Sequence, residues 1–363
     1  MSQLFVGVMS GTSLDGVDAV LCDFAGVRPI TLGFECSPFP AALRSELLAL
    51  TSPGNNELDR AGVAANQLAH LYAATVNRLL AGTHTSPQQV RAIGCHGQTI
   101  RHRPEMGFSL QLQNPALLAE LTGVTVVADF RNRDLAAGGQ GAPLVPAFHN
   151  GLFRDPQRCR TIVNIGGISN ISVLNRNQPV FGFDCGPGNV LMDAWIQMHL
   201  NEPFDDSGRW ASMGRVLPAF LDGLLTEPYF RRPPPKSTGR ELFTLSWLRS
   251  FINKSYSPVD VQATLLELAV QTITHDVVKY CPRCQELFIC GGGAQNVTLM
   301  TRLSALLPDM AVSSTETLGI PAMQVEALAF AWLAQQTIEN KPLDLTAVTG
   351  AKHPTILGAI YPA

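Results

Sequence analysis

The stretch Phe5-Val-Gly-Val-Met-Ser-Gly-Thr-Ser-Leu-Asp-Gly-Val-Asp-Ala-Val-Leu21 decides the fold. Val6, Val8, Val17, Val20 and Leu21 suit strands, whereas residues 10–16 are too polar and glycine-rich to continue one. The stretch reads as a β-hairpin whose loop offers backbone N–H groups, hydroxyls and carboxylates. Such a loop suits a phosphate, because glycines admit close backbone approach and consecutive N–H groups form an anion-binding concavity. Thr12 and Ser13 add hydroxyl donors, and Asp15 or Asp18 could hold Mg²⁺ directly or through water. No Gly-Lys-Ser/Thr follows, so this is not a Walker loop, and the dinucleotide fingerprint is absent. An ordinary tight hairpin is the competing reading of these residues alone.

The pattern returns at Thr161-Ile-Val-Asn-Ile-Gly-Gly-Ile-Ser-Asn-Ile-Ser-Val-Leu174: strand, glycine turn with Ser and Asn, strand. Two such hairpins opening successive α/β segments suggest internal duplication. The expected division is an N-terminal α/β lobe over residues 1–150, completed by the tail 340–363, and a C-terminal α/β lobe over 151–339.

Composition supports two domains and excludes several functions. A chain of 363 residues exceeds the usual single core. A net charge of −3 and 15% charged residues give no electrostatic case for nucleic acid or an anionic membrane. The start lacks a basic n-region, and no apolar run approaches the ~20 residues that span a bilayer. The eight cysteines are scattered through apolar runs, as in a reduced cytosolic protein. Cys281-Pro-Arg-Cys284 has no second Cys/His pair nearby, which argues against a metal or redox site.

Chemistry-bearing residues cluster where predicted strands end. Val90–Cys95 runs into His96-Gly-Gln98-Thr, and Val124–Ala128 into Asp129-Phe-Arg131-Asn-Arg-Asp. Polar groups past strand ends in α/β proteins are where ligands bind, and a carboxylate beside guanidiniums suits an anionic or polyhydroxylated molecule. Turn chemistry and a solvated salt-bridge cluster are the plainer alternatives. Asp184 ends a strand beside Gly186-Pro-Gly188, a good place for a general base, with a capping role as its alternative. Residues 201–240 are polar, and within them Gly208-Arg-Trp-Ala and Pro234-Pro-Lys-Ser-Thr-Gly-Arg read as mobile surface loops over a helix. Glu286–Cys290 leads into Gly291, Gly292 and Gly293, a weak signal for a nucleotide's adenosine. Glu326 is the one acid in an apolar helix, which is costly unless the group is paired or used.

Four pieces stand in order: SGTSLDGVD (10–18), NIGGISN (164–170), DCGPGN (184–189) and CGGGAQN (290–296). Together they resemble the superfamily of sugar kinases, actin and heat-shock chaperones. The fuller wording, GVMSGTSLDGVDAVL, GCHGQTI, ADFRNRD, FDCGPGN, CGGGAQN and VEALAFAWLA, is similar to the anhydro-N-acetylmuramic acid kinases from Phe5 to the tail. The resemblance implies an α/β fold of duplicated actin-like ATPase (ribonuclease H-like) lobes around a central nucleotide cleft. It implies a cytoplasmic enzyme of peptidoglycan recycling, a homodimer, that uses ATP, Mg²⁺ and water to turn 1,6-anhydro-N-acetylmuramic acid into N-acetylmuramic acid 6-phosphate.

Carried onto this sequence, the resemblance makes Asp184 the catalytic base and Glu326 a second catalytic candidate. ATP contacts fall on Gly11, Thr12, Ser13, Leu14, Asp15, Gly16, Val17, Asp18, Gly166, Gly167, Asn170, Gly291, Gly292, Gly293 and Asn296. Mg²⁺ falls to Asp15 or Asp18, and the sugar to His96, Gln98, Asp129 and Arg131. An ordinary sugar kinase acting on a free hydroxyl is the nearest rival, and an actin- or chaperone-like ATPase a more distant one. A sugar-sensing regulator is disfavoured because no basic DNA-binding helix is visible.

Overall fold

The computed structural model describes residues 2–11, 14, 16–26, 28–239 and 242–363. The chain divides into two compact units, residues 1–148 with 324–363, and residues 149–323. The return to the first unit thus comes at Gln324, before the expected residue 340.

Unit 1 is built on β1 (Leu4–Met9), β2 (Gly16–Asp23), β3 (Ile30–Pro38), β4 (Val90–Cys95), β5 (Gln98–Arg103), β6 (Phe108–Leu112) and β7 (Val126–Ala128). The last strand of the chain, Ala359–Tyr361, closes its main sheet by pairing antiparallel with β7. The expected hairpin is present: β1 and β2 run antiparallel with Met9 opposite Asp18. β4 joins β1 in parallel, and β7 joins β4 in parallel. Strands β5 and β6 form a separate antiparallel pair.

β1 is buried along its whole length, as a central strand covered on both faces must be. Leu4, Val6 and Val8 share a core with Leu68, Tyr72 and Val76 of the helix Glu57–Gly82. The helix Val325–Ile338 also packs on β1 and β4. It comes so near that a Cβ on Gly7 would sit 1.8 Å from the Ala327 carbonyl oxygen, and one on Gly94 2.0 Å from that of Phe330. Gly7 and Gly94 are register partners. Only glycine at both positions leaves room for a helix backbone against the sheet.

In unit 2 the strands are β8 (Arg160–Ile165), β9 (Ile168–Leu174), β10 (Phe181–Pro187), β11 (Glu286–Cys290) and β12 (Ala311–Ser314). Their order, β10-β9-β8-β11-β12, matches β3-β2-β1-β4-β7 of unit 1. The directions match too: antiparallel through the first three strands, then parallel. This repeated topology is the duplicated actin-like (ribonuclease H-like) fold. The helix Pro258–Tyr280 packs on β9 and β10, and its Leu265, Leu268, Ala269, Ile273 and Val277 enter the core of unit 2.

Candidate active site

Unit 2 lines up four side chains across four strands. Cys290 of β11 stands opposite Asn164 of β8, Asn164 opposite Asn170 of β9, and Asn170 opposite Asp184 of β10. Directly opposed residues project on one face, so the register makes a polar row ending in a carboxylate. Most of the row is buried: Asn164 is 2% and Asp184 5% exposed, Cys290 is buried, and Asn170 is half-buried. Asn170 Oδ1 is among the buried oxygens that have no protein partner. Immediately after Asp184 the β9–β10 register slips, and the bulge turns the strand towards Gly186.

Glycine turns flank this row. The N–H groups of Gly188 and Val190 donate to the Gly167 carbonyl at 2.9 and 3.1 Å, and that of Asn189 donates to Gly166 at 2.8 Å. Gly291 has φ +76°, and a Cβ there would lie 2.5 Å from Asn164 Oδ1. A Cβ on Gly293 would meet the Ile165 side chain at 2.4 Å. The predicted Gly166–Gly167 and Gly291–Gly293 turns are thus brought together around the end of β8. Asn296 caps the next helix, its Oδ1 accepting the Leu299 N–H at 3.0 Å.

The segment after Pro233, expected as a mobile loop, is instead built into the site. The Asp184 N–H donates to the Lys236 carbonyl at 3.2 Å, and the Thr238 N–H donates to Asp184 Oδ2 at 3.0 Å. The Tyr229 hydroxyl donates to the Asp184 carbonyl at 2.7 Å. Lys236 is buried against Asp276, and burial of that charge is what sequence polarity could not reveal.

Unit 1 holds the remaining predicted residues. Gly11 O accepts from Gln98 Nε2 at 3.1 Å and from the Leu14 N–H at 3.3 Å, so Gln98 braces the first loop. Arg44 Nε donates to the Leu14 carbonyl at 2.9 Å. Leu14 and Val17, expected at the nucleotide, put their side chains into the core of unit 1. Any contact they make with nucleotide runs through the backbone. Gly16 allows β2 to approach β3, since a Cβ would lie 2.5 Å from the Ser37 carbonyl oxygen. Thr12, Ser13 and Asp15 lie outside the described residues.

His96 and Arg131 form one group. His96 is 4% exposed, and its Nε2 accepts from Arg131 Nε at 3.1 Å and Nη2 at 2.9 Å. Burial first, then the Arg131 charge, holds the imidazole well below its ordinary range, so it is neutral. Arg131 Nη1 also donates to the Gly141 carbonyl at 2.8 Å. The Gly141 N–H in turn donates to Asp134 Oδ2 at 2.7 Å, and Thr349 binds the other Asp134 oxygen at 2.8 Å. The guanidinium is therefore braced from the C-terminal segment.

Asp129 precedes the helix Phe130–Ala136 in a left-handed conformation, φ +59°, without a side-chain capping bond. Its Oδ1 accepts from Asn132 Nδ2 at 2.7 Å, and Asn132 Oδ1 accepts the Ser109 N–H at 3.1 Å. Burial raises the Asp129 carboxyl. Ser109 Oγ bonds His102 Nδ1 at 3.0 Å and accepts from Gln111 Nε2 at 2.8 Å. The β5–β6 pair thus adds Ser109, His102 and Gln111 to a connected, largely buried polar network. Glu326, half-buried, lies in the first turn of its helix, immediately before Ala327, whose carbonyl faces Gly7.

No cluster of three or more His, Cys, Asp or Glu able to hold a metal occurs among the described residues. A Mg²⁺ that arrives on a nucleotide needs only one or two carboxylates beside phosphate oxygens, so the half-buried Asp18 at the exit of the first loop fits it.

The family model for anhydro-N-acetylmuramic acid kinase matches residues 3–363. The chain belongs to the anhydro-N-acetylmuramic acid kinase family. Its relatives of that name include proteins from Nitrosomonas europaea, 55% identical, and Variovorax paradoxus, 54% identical, each match covering 99% of both chains. Among solved structures, an activator of 2-hydroxyisocaproyl-CoA dehydratase from Clostridium difficile aligns with TM-score 0.48 and 12% identity over 94% of this chain and 96% of that one. A ROK family glucokinase from Streptomyces griseus aligns with TM-score 0.43 and 13% identity over 92% and 99%.

Within this anhydro-N-acetylmuramic acid kinase family chain, sequence reasoning missed Asn164, Lys236 and Thr238. Asn164 stands in the quoted NIGGISN motif, where strand alternation puts it on the face of Asn170. Lys236 and Thr238 carried no local signal beyond a polar, proline-rich context.

Proposed function

We propose that this enzyme opens the 1,6-anhydro ring of 1,6-anhydro-N-acetylmuramic acid with water and phosphorylates the freed 6-oxygen from ATP in one site. The products are N-acetylmuramic acid 6-phosphate and ADP, in peptidoglycan recycling. Asp184 takes a proton from the attacking water as its oxygen bonds to the anomeric carbon. The bond from that carbon to the 6-oxygen breaks, and its electron pair stays on oxygen. That oxygen attacks the γ-phosphorus, and the bond to the β,γ-bridging oxygen breaks to release ADP. The proton on Asp184 then passes to solvent. The leaving oxygen needs no separate acid, because phosphorus captures it.

The observation that carries this reading is Asp184 itself. It is a buried carboxylate at a strand bulge, in line with Asn164 and Asn170, with one oxygen bonded to a backbone N–H. That N–H favours the ionised form a base requires. We assign the ATP phosphates to the loops at Gly11–Asp18 and Gly166–Gly167, with Asn170 beside them, and the adenosine to Gly291–Gly293. His96, Asp129 and Arg131 are the sugar contacts, with Gln98 holding the first loop and Glu326 orienting water or substrate. Mg²⁺, held at Asp18 or Asp15, neutralises charge on the phosphates when bound. ATP use and eight cysteines without disulfides support a cytoplasmic setting.

The test is ADP release with Mg-ATP and either 1,6-anhydro-N-acetylmuramic acid or N-acetylmuramic acid. The proposal expects turnover of the anhydro sugar, reduced by about 10²–10⁴ in Asp184→Asn. Turnover of the free sugar alone would replace it with an ordinary hydroxyl kinase.

A further inference from the structure

Behind Asp184 lies an ion pair that the reaction does not use. Lys236 Nζ is 3.4 Å from Asp276 Oδ2, and the two side chains are only 3% and 4% exposed. The ammonium also lies 5.2 Å from the Phe183 ring centre and 5.0 Å from that of Tyr229. Asp276 belongs to the helix Pro258–Tyr280, which packs on β10. Burial raises the Asp276 carboxyl, and the Lys236 charge opposes that rise. Such a pair adds little net stability, because desolvation offsets the attraction. Its value must lie elsewhere.

We propose that the Lys236–Asp276 pair is a positioning device that fixes the catalytic carboxylate of Asp184. Lys236 is itself the residue whose carbonyl accepts the Asp184 N–H, and Thr238, two residues on, donates its N–H to Asp184 Oδ2. The ion pair clamps this segment to the long helix. The amide of Thr238 is thereby held at the carboxylate, keeping it ionised and its plane fixed. The inference rests on the reading of Asp184 as the general base. Other ionisable groups around the pair are Cys185, Tyr229, His275, Cys281 and Arg232, together with Asp184.

The full-length enzyme carrying Lys236→Met with Asp276→Leu removes both charges and leaves neither group unpaired in the core. Asp276→Asn, which keeps the shape and a lysine acceptor, is the second variant. Each is measured for its urea transition and for kcat and KM against pH, with Mg-ATP and 1,6-anhydro-N-acetylmuramic acid. Asp184→Asn is the reference. The expected result is a cooperative fold, KM for ATP unchanged, kcat lower by about ten-fold or more, and the acid limb of the kcat/KM profile moved up by about one pH unit. Asp276→Asn is expected to move both in the same direction by less, and it decides the matter if the double variant does not fold. A folded variant with wild-type kcat and an unmoved acid limb overturns the proposal. Wild-type turnover in Asp184→Asn instead removes the base assignment, and this inference with it.

Discussion

Arg131 donates to a single nitrogen of His96 from two of its own, Nε at 3.1 Å and Nη2 at 2.9 Å. The imidazole is therefore an acceptor at Nε2 and carries its proton on Nδ1. Arg131→Ala leaves that buried acceptor without its donor, which costs about 1–3 kcal/mol of folding stability. If the pair also meets the sugar, KM for the anhydro sugar rises about ten-fold or more while KM for ATP is unchanged. Urea denaturation and steady-state kinetics on one variant check both. A variant as stable as wild type would contradict the structural half, and an unchanged sugar KM the functional half.

The closest approach of helix to sheet predicts the largest stability loss. A Cβ at Gly7 or Gly94 would fall on backbone atoms of the helix Val325–Ile338, at 1.8 and 2.0 Å. Backbone cannot rotate aside as a side chain can, so helix and sheet must separate. Gly7→Ala and Gly94→Ala are each expected to lose more than about 3 kcal/mol by urea denaturation, or to fail to accumulate folded. Wild-type stability in either would show that the helix is not seated there.

Burial of His149 predicts a defined pH dependence. Its ring is fully buried, Nδ1 is 2.8 Å from Ser172 Oγ, and burial pushes its pKa down to about 3. In the unfolded chain the same group titrates near 6.5. Above that pH both states hold it neutral and it contributes no slope. Below it the unfolded chain binds a proton that the folded chain refuses, so stability falls by about 1.4 kcal/mol per pH unit, down to about pH 3. His149→Asn lacks this slope. The stability of wild type minus that of the variant should therefore drop by about 2 kcal/mol between pH 7 and pH 5. A constant difference would contradict the burial argument.

The duplicated topology was legible because each hairpin announces itself locally. Apolar residues flank a glycine turn at residues 10–16 and again at 166–167, and both turns join antiparallel strands. Asp184 drew notice beside Gly186-Pro-Gly188, but the strand does not end there: β10 runs on to Pro187, and a bulge just after Asp184 is what re-aims the chain. What was not legible depends on contacts distant in sequence. Nothing in the local sequence of Gly7 or Gly94 announces the helix Val325–Ile338, whose backbone lies against both. That helix read as part of the second lobe because it follows it in the chain, but it packs on β1 and β4. Lys236 read as solvated because proline-rich polar segments usually are, and its counter-ion lies forty residues away.

The most direct test of the account is the fate of the attacking oxygen. Mg-ATP and 1,6-anhydro-N-acetylmuramic acid are turned over in ¹⁸O-water, stopped early, and the product mass is read at once. The account predicts sugar-dependent ADP and a phosphorylated product carrying one heavy oxygen at the anomeric position, formed about 10²–10⁴-fold more slowly by Asp184→Asn. Phosphorylated product without the heavy oxygen, or full labelling and turnover in Asp184→Asn, would contradict it.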